Sequence, residues 1–106
     1  MRVFTDLFGH RLRLTKERYE HYISSHPELH RQVEKIKETI SDPERIVRSR
    51  SDENTWLYYR FYTITPVGAK FLCVVVKLLA NDYYIITAYF TDTIKPGETI
   101  WTKENT

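Results

Sequence analysis

Residues 83–91 have the sequence Tyr-Tyr-Ile-Ile-Thr-Ala-Tyr-Phe-Thr, which is rich in β-branched and aromatic residues and predicts a strand. Consecutive strand residues point to opposite faces of a sheet, so the hydroxyls of Thr87, Tyr89 and Thr91 share one face. Residues 71–76 predict a second strand, which ends in the charge of Lys77. Two strands that carry an ammonium group and several hydroxyls can form a surface that binds phosphate.

The turn between these two strands controls whether the charge and the hydroxyls face the same way. Lys77 shares a face with Thr87 and Tyr89 only if paired positions have residue numbers that add to an even value. A three-residue loop at residues 80–82 gives that pairing, whereas a two-residue Asn-Asp turn at residues 81–82 does not. The sequence is compatible with both turns.

Composition predicts one ordered domain over residues 1–106, because the length fits a single domain and 14% of the residues are aromatic. The formal net charge of +2 permits nucleic-acid binding through a local patch. The sequence shows no membrane-spanning apolar stretch and no signal-peptide pattern, so we expect a cytoplasmic protein without a membrane partner. Cys73 is the only cysteine and lies in the most apolar run, which indicates a buried thiol and no disulfide.

Local patterns predict short strands and then two helices in the first part of the chain. Residues 3–8 and 11–14 read as short strands that can form a hairpin. Thr15 suits the N-cap of a helix that extends to about Ser25, and Pro27 suits the first turn of a second helix. The second helix, which ends before Asp42-Pro43, has an apolar stripe made of Leu29, Val33, Ile36 and Ile40.

The second part of the chain predicts a sheet. Strand patterns begin at residues 46–47 and recur at 56–64, 71–79 and 83–90. Short turns join the last three, so we expect an antiparallel meander. Because the helices precede these strands, the pattern favours the α+β class, with two helices packed on one face of the sheet.

Several common catalytic motifs are missing from the sequence. Its three glycines do not form a phosphate-binding or dinucleotide loop, and there is no Gly-x-Ser-x-Gly motif. The spacing of His26 and His30 suits a metal pair, but Pro27 interrupts the helix and no further ligands complete a tetrahedral site. We therefore predict no cofactor and no metal site.

Two histidines of the helical region are candidates for contact with a substrate. His26 lies beside the aromatic side of the first helix at the predicted helix break, and an imidazole there can act as a general acid or base. The alternative for His26 is a junction residue that caps backbone groups. His21 falls on the polar side of the same helix, and the alternative for it is a solvated surface residue.

Arginine and aromatic residues concentrate in the segment 45–62. Arginines beside aromatic rings can bind phosphates and stack bases. The alternative is a solvated outer face of a twisted sheet. The residues concerned are Arg45, Arg48, Arg50 and Arg60, interleaved with Trp56, Tyr58, Tyr59 and Tyr62.

A set of short motifs occurs in an order that resembles a known superfamily. The motifs are His21, His26-Pro27-Glu28-Leu29, Thr39-Ile40-x-Asp42-Pro43, Tyr58-Tyr59, Val74-Val75-Val76-Lys77, Thr87-Ala88-Tyr89-x-Thr91 and Ile94-Lys95-x-Gly97. Over about residues 14–101, the chain resembles the phage- and bacteria-associated nuclease-like domains of the barnase, EndoU, colicin and RelE-type superfamily. The resemblance implies an α+β fold, with N-terminal helices on an antiparallel sheet of about four strands, and metal-independent ribonuclease chemistry. The matching polar residues are His21, His26, Glu28, Tyr59, Lys77, Thr87, Tyr89 and Thr91.

The hypothesis that follows is an endoribonuclease of the toxin or defence-effector kind, in which the ribose 2′-hydroxyl attacks the adjacent phosphate. His26 would act as acid or base, and the phosphate would be held by Lys77, Arg60, Thr87 and Tyr89. Further RNA contacts are expected from the residues Tyr59, as a base-stacking platform, Arg48, Thr91 and His21. The expected partners are RNA and a protein inhibitor or antitoxin.

Two other hypotheses remain open on the sequence alone. One is a non-catalytic module that binds RNA or protein through the arginine-rich segment. The other is a small antitoxin-like or assembly protein that uses its second helix or its Trp101 tail.

Overall fold

The computed structural model describes residues 1–104, which form one sheet covered on one side by two short α-helices. No helix of this part of the chain is both long and apolar enough to cross a membrane. In chain order, the elements are β1 (Arg2–Thr5), β2 (Arg11–Leu14), α1 (Lys16–Ser25), a 3₁₀ turn (Pro27–Leu29), α2 (Val33–Ser41), β3 (Arg45–Arg48), β4 (Thr55–Tyr62), β5 (Lys70–Leu79), β6 (Asp82–Thr91) and β7 (Thr99–Thr102).

The sheet has seven strands in the order β1-β2-β6-β5-β4-β3-β7, and it is mixed. The pairs β1–β2, β3–β4, β3–β7, β4–β5 and β5–β6 are antiparallel, whereas β2 runs parallel to β6. The prediction of an α+β fold with two N-terminal helices on a four-stranded antiparallel sheet is therefore wrong. The β1–β2 hairpin precedes the helices and joins the same sheet, and β7 adds an outer strand.

The helices begin and end close to the predicted places, with one correction. Thr15 is the N-cap of α1, and its hydroxyl accepts a hydrogen bond from the Arg18 backbone N–H at 3.1 Å. The second helix does not begin at Pro27. A 3₁₀ turn comes first, Arg31 then takes a left-handed conformation with φ of 63°, and α2 starts only at Val33.

The helix-covered face of the sheet holds the larger core. The side chains of α1 and α2 meet those of the central strands there, and the fully buried members include Tyr22, Leu29, Ile36, Ile40, Tyr58, Leu72, Val74 and Ile85. The opposite face, called the open face below, carries a small second cluster of Val47, Leu57, Tyr59 and Cys73. The predicted apolar stripe of the second helix therefore packs as expected, although its first member lies in the 3₁₀ turn.

A buried carboxylate ties the β1–β2 hairpin to the centre of the sheet. The side chain of Asp6 is fully inaccessible to solvent. Its Oδ1 accepts hydrogen bonds from the backbone N–H groups of Phe8 and His10, at 2.9 and 2.8 Å. Its Oδ2 accepts from the Tyr58 hydroxyl at 2.5 Å and lies 2.8 Å from Nδ1 of His10. Burial, and then the contact with Asp6, raise the pKa of Tyr58 well above its usual range.

Candidate functional site

A β-bulge in β6 places the predicted charge and hydroxyls on the same face. Leu79 pairs with Asp82, so the β5–β6 turn is a two-residue loop. The residue numbers of the pairs near this turn add to an odd value, which by itself would put Lys77 and Thr87 on opposite faces. The register shifts between Val75 and Val76, so that Val75 pairs with Thr87 and Cys73 with Tyr89. Cys73, Val75 and Lys77 are two residues apart in β5 and point to the same face. Lys77 therefore shares the open face with Thr87 and Tyr89 of β6.

A hollow of about 600 Å³ lies over this part of the open face. Its floor is formed by side chains of β4, β5 and β6, and its walls by the loop after β3 and the loop before β7. The lining residues are Ser49, Arg50, Ser51, Asp52, Thr55, Leu57, Val75, Thr87, Tyr89, Lys95 and Pro96. The site thus combines hydroxyls, cations and an apolar floor, which is a suitable composition for a polar, charged ligand.

His26, at the junction between α1 and the 3₁₀ turn, packs against Tyr89, one of the residues that line the hollow. Its ring centroid is 5.7 Å from that of Tyr89, with the ring planes inclined by 36°. The backbone N–H of His26 donates to the Tyr22 carbonyl oxygen at 2.7 Å and so caps α1. This geometry is compatible with both interpretations of His26, as an acid–base group and as a cap. Its backbone N–H makes the cap, and its side chain contacts Tyr89 at the site.

The Tyr89 ring lines the hollow, but its hydroxyl points into the protein. That oxygen is buried and has no hydrogen-bond partner within residues 1–104. Burial raises the pKa of Tyr89 above its usual range, with smaller effects from Cys73 and Tyr59. Burial likewise raises the pKa of the Cys73 thiol to about 11, so this thiol is protonated at neutral pH and is a poor nucleophile.

Lys95 supplies a cation that the sequence analysis did not select. Its Nζ lies 5.7 Å from the centroid of the Tyr89 ring, and its backbone N–H donates to the Tyr59 hydroxyl at 3.1 Å. The loop that carries it lies flat on β3, where a Cβ atom at Gly97 would collide with the Arg48 carbonyl oxygen and the Val47 side chain. The sequence signal was the Ile94-Lys95-x-Gly97 motif, in which the glycine permits this close approach.

Two of the cations at the hollow are free of acidic partners. No ion pair within residues 1–104 involves Lys95 or Arg50. Both side chains belong to exposed residues that line the hollow. Their charges are therefore available to an anionic ligand.

Lys77 has its charge matched by an aspartate. Its Nζ donates to Oδ2 of Asp52, which also accepts from the Thr55 hydroxyl at 3.0 Å, while Oδ1 accepts from the Asn54 backbone N–H at 2.9 Å. The hydrogen bond from Lys77 is the largest of the effects that hold the pKa of Asp52 at about 2, below its ordinary value. The prediction that Lys77 contacts a phosphate remains untested, but its ammonium is already engaged at the wall of the hollow.

The pairing of Asp52 gives a testable dependence of stability on pH. A carboxylate with a lowered pKa stabilises the fold above its ordinary pKa of about 3.9, and this contribution is lost as the pH falls towards about 2. Asp52→Asn should lower Tm at pH 7 by a small amount, on the order of 1–3 °C, because the pair is partly exposed. Thermal unfolding of both proteins between pH 7 and pH 2 checks this.

The difference in Tm between the parent and Asp52→Asn should become smaller as the pH falls from about 3.9 to about 2. Glu53→Gln, which changes an exposed neighbouring carboxylate, is the matched control. A difference in Tm that stays constant from pH 7 to pH 2 would contradict the assigned role of Asp52.

Two predicted RNA-binding arginines do not join the site. Arg60 pairs in register with Leu72 and therefore points to the helix-covered face, where its Nη1 donates to the carbonyl and carboxylate oxygens of Asp42 at 2.7 and 3.2 Å. Arg48 lies opposite Trp56 and has its Nη1 3.0 Å from Oε1 of Glu98. Strand alternation and ion pairing thus remove both arginines from the hollow.

The other predicted contacts also have different surroundings from those expected. Tyr59 is fully buried, so its ring cannot serve as a base-stacking platform. The Thr91 hydroxyl is engaged in a local turn, where it contacts the backbone O and N of Thr93 at 3.2 and 3.3 Å. His21 is exposed on α1 and does not line the hollow.

Within residues 1–104, no three His, Cys, Asp or Glu side chains are grouped so that they could hold a metal ion. Comparisons of the chain with protein-family models, with curated proteins and with solved structures found no match. The resemblance to the nuclease superfamily therefore stays a prediction from sequence motifs.

Proposed function

We propose that this chain is a metal-independent endoribonuclease of the toxin or defence-effector kind that acts in the cytoplasm. The observation that carries the proposal is the arrangement around the Tyr89 ring. The His26 imidazole packs against that ring, the Lys95 ammonium lies near it, and Thr87 is the neighbouring open-face residue of the same strand. A cation and a hydroxyl thus line one open hollow, and an acid–base group packs against the Tyr89 ring beside them.

These groups match the needs of RNA cleavage by an internal nucleophile. A base removes the proton of the 2′-hydroxyl, the O2′–P bond forms, and the P–O5′ bond breaks. The leaving 5′ oxygen takes up a proton, and the products are a 2′,3′-cyclic phosphate and a 5′-hydroxyl. The nucleophile belongs to the RNA, so the protein has to move protons and to stabilise the added negative charge on phosphorus.

Each role has a candidate among the residues at the hollow. His26 performs one of the two proton transfers, and water in the open hollow completes the other. Lys95 and Arg50 carry unmatched charge and hold the phosphate, while the Thr87 hydroxyl donates a hydrogen bond to it. Tyr89 contributes its ring as a support for His26 and Lys95, and Lys77 fixes the wall of the hollow through Asp52.

A binding module without catalysis is the second candidate function. The observation in its favour is that, among the histidine rings that pack against aromatic rings in residues 1–104, His26 is the one paired with a residue that lines the hollow. A site with unmatched cations and a single imidazole can bind the phosphates of RNA without cleaving it.

The two candidates differ in the RNA products that they generate. Purified protein incubated with total RNA in a chelator should yield fragments with 2′,3′-cyclic phosphate ends. Lys95→Ala should reduce the rate roughly 10²- to 10³-fold, because an unmatched cation at the developing charge is lost. Lys77→Ala should reduce it less, because that ammonium is engaged by Asp52.

The control for these variants is Lys37→Ala, which removes an exposed cation from α2. Salt-dependent binding of RNA without any fragments would favour the binding module. Equal cleavage rates for the parent, Lys95→Ala and Lys77→Ala would rule out the assigned roles.

A further inference from the structure

The backbone of His26 is held in place by hydrogen bonds to its neighbours in the chain. Its backbone N–H donates to Tyr22, and its carbonyl oxygen accepts from the Leu29 N–H at 3.0 Å. Leu29 is fully buried and anchors the 3₁₀ turn on the core. Glu28 lies between Pro27 and this anchor, so its backbone position relative to His26 is fixed.

The two ring nitrogens of His26 have different surroundings. Nδ1 lies 3.6 Å from Oε1 of Glu28, and both side chains are partly buried, with 34% and 24% of their surfaces exposed. Within residues 1–104, this contact with Glu28 is the ion pair that the His26 ring makes. Nε2 is on the other side of the ring, and the Tyr89 ring against which His26 packs also has the Lys95 ammonium 5.7 Å from its centroid.

We propose that Glu28 is the positioning residue of His26: it holds the proton of the neutral imidazole on Nδ1 and makes Nε2 the nitrogen that exchanges protons with the substrate. The identity of the protonated nitrogen in a histidine is set by the partner of the other nitrogen. A carboxylate beside Nδ1 favours the N–H on that side. The effect on catalysis rests on the proposed ribonuclease function, whereas the position of the proton does not.

A tautomer measurement tests this directly. Uniformly ¹⁵N-labelled protein is studied by long-range ¹H–¹⁵N correlation of the imidazole rings, at a pH where His26 is neutral. The parent protein should show the proton of His26 on Nδ1. Unconstrained histidine prefers the proton on Nε2, so Glu28→Ala should shift His26 towards that form, and Glu28→Gln, which keeps a neutral acceptor oxygen, should do so to a smaller extent.

The matched control is Glu20→Gln, which removes an exposed carboxylate of α1 that contacts Lys16 at 4.0 Å. It should leave the His26 tautomer as in the parent. Retention of backbone amide shifts in the Glu28 variants verifies that the fold is kept. A parent with the proton on Nε2, or Glu28 variants with the parent tautomer, would overturn the proposal.

Cleavage kinetics supply a second readout that separates the two proposals. Glu28→Ala should lower kcat roughly 10- to 100-fold with little change in KM, because the carboxylate acts through His26 rather than on the RNA. If the parent protein cleaves no RNA, the proposed function fails while the tautomer result still decides the role of Glu28. If the parent cleaves RNA and Glu28→Ala keeps its kcat, the positioning role fails alone.

Discussion

His26→Ala is expected to lower the rate of RNA cleavage by about 10²- to 10⁴-fold, the usual contribution of a general acid or base. The same change should leave Tm nearly as in the parent. The interactions that hold this junction are made by the His26 backbone and by buried Leu29, and alanine keeps both. The measurement is single-turnover cleavage of a defined RNA in chelator, together with thermal unfolding.

Two other histidine variants serve as controls for this result. His21→Ala and His30→Ala remove exposed imidazoles from the same region of the chain. Both should cleave RNA at rates close to that of the parent. A His26→Ala protein as active as these two controls would show that the imidazole takes no part in the reaction.

Asp6→Ala is expected to have the largest effect on stability, a loss of roughly 3–5 kcal/mol in the free energy of unfolding. The carboxylate is fully inaccessible and accepts from two backbone N–H groups and from the Tyr58 hydroxyl. Its removal leaves several buried donors without partners and opens a cavity at the base of the β1–β2 hairpin. Urea denaturation of both proteins gives the difference.

A graded set of variants tests this explanation. Asp6→Asn keeps an oxygen that can accept the two backbone hydrogen bonds, so it should cost less than alanine. Tyr58→Phe removes only the hydroxyl that donates to Asp6, and the free energy of unfolding should fall by about 1 kcal/mol. A loss below about 1 kcal/mol for Asp6→Ala would mean that water replaces the carboxylate and that this network does not stabilise the hairpin.

Several parts of the fold could be predicted because they depend on nearby residues. The Thr15 cap and the break at Pro27 follow from local backbone chemistry, and they bound α1 as expected. The strand patterns of β4, β5 and β6 gave the meander correctly. The burial of Cys73 followed from its apolar run.

The composition of the site was predictable only in part. The sequence selected His26, Thr87 and Tyr89, and all three meet at or beside the hollow. It missed Lys95, whose position depends on how a loop without regular structure folds back over β3. It also assigned Arg60 to the site, although strand alternation and the carboxylate of Asp42 place that arginine on the other face.

The amino-acid sequence alone determines most of the local elements of this protein, although not the start of α2, because caps, turn residues and apolar periodicity act over a few residues. The number of strands in the sheet and the parallel contact of β2 with β6 arise from pairing between distant segments, such as Arg13 with Tyr84. The shared face of Lys77 and Thr87 depends on a bulge in β6, which the local pattern of β-branched residues does not specify. Long-range packing of the whole chain selects that register, since it buries Ile85 and Ala88 against the helices and leaves the hydroxyl side open.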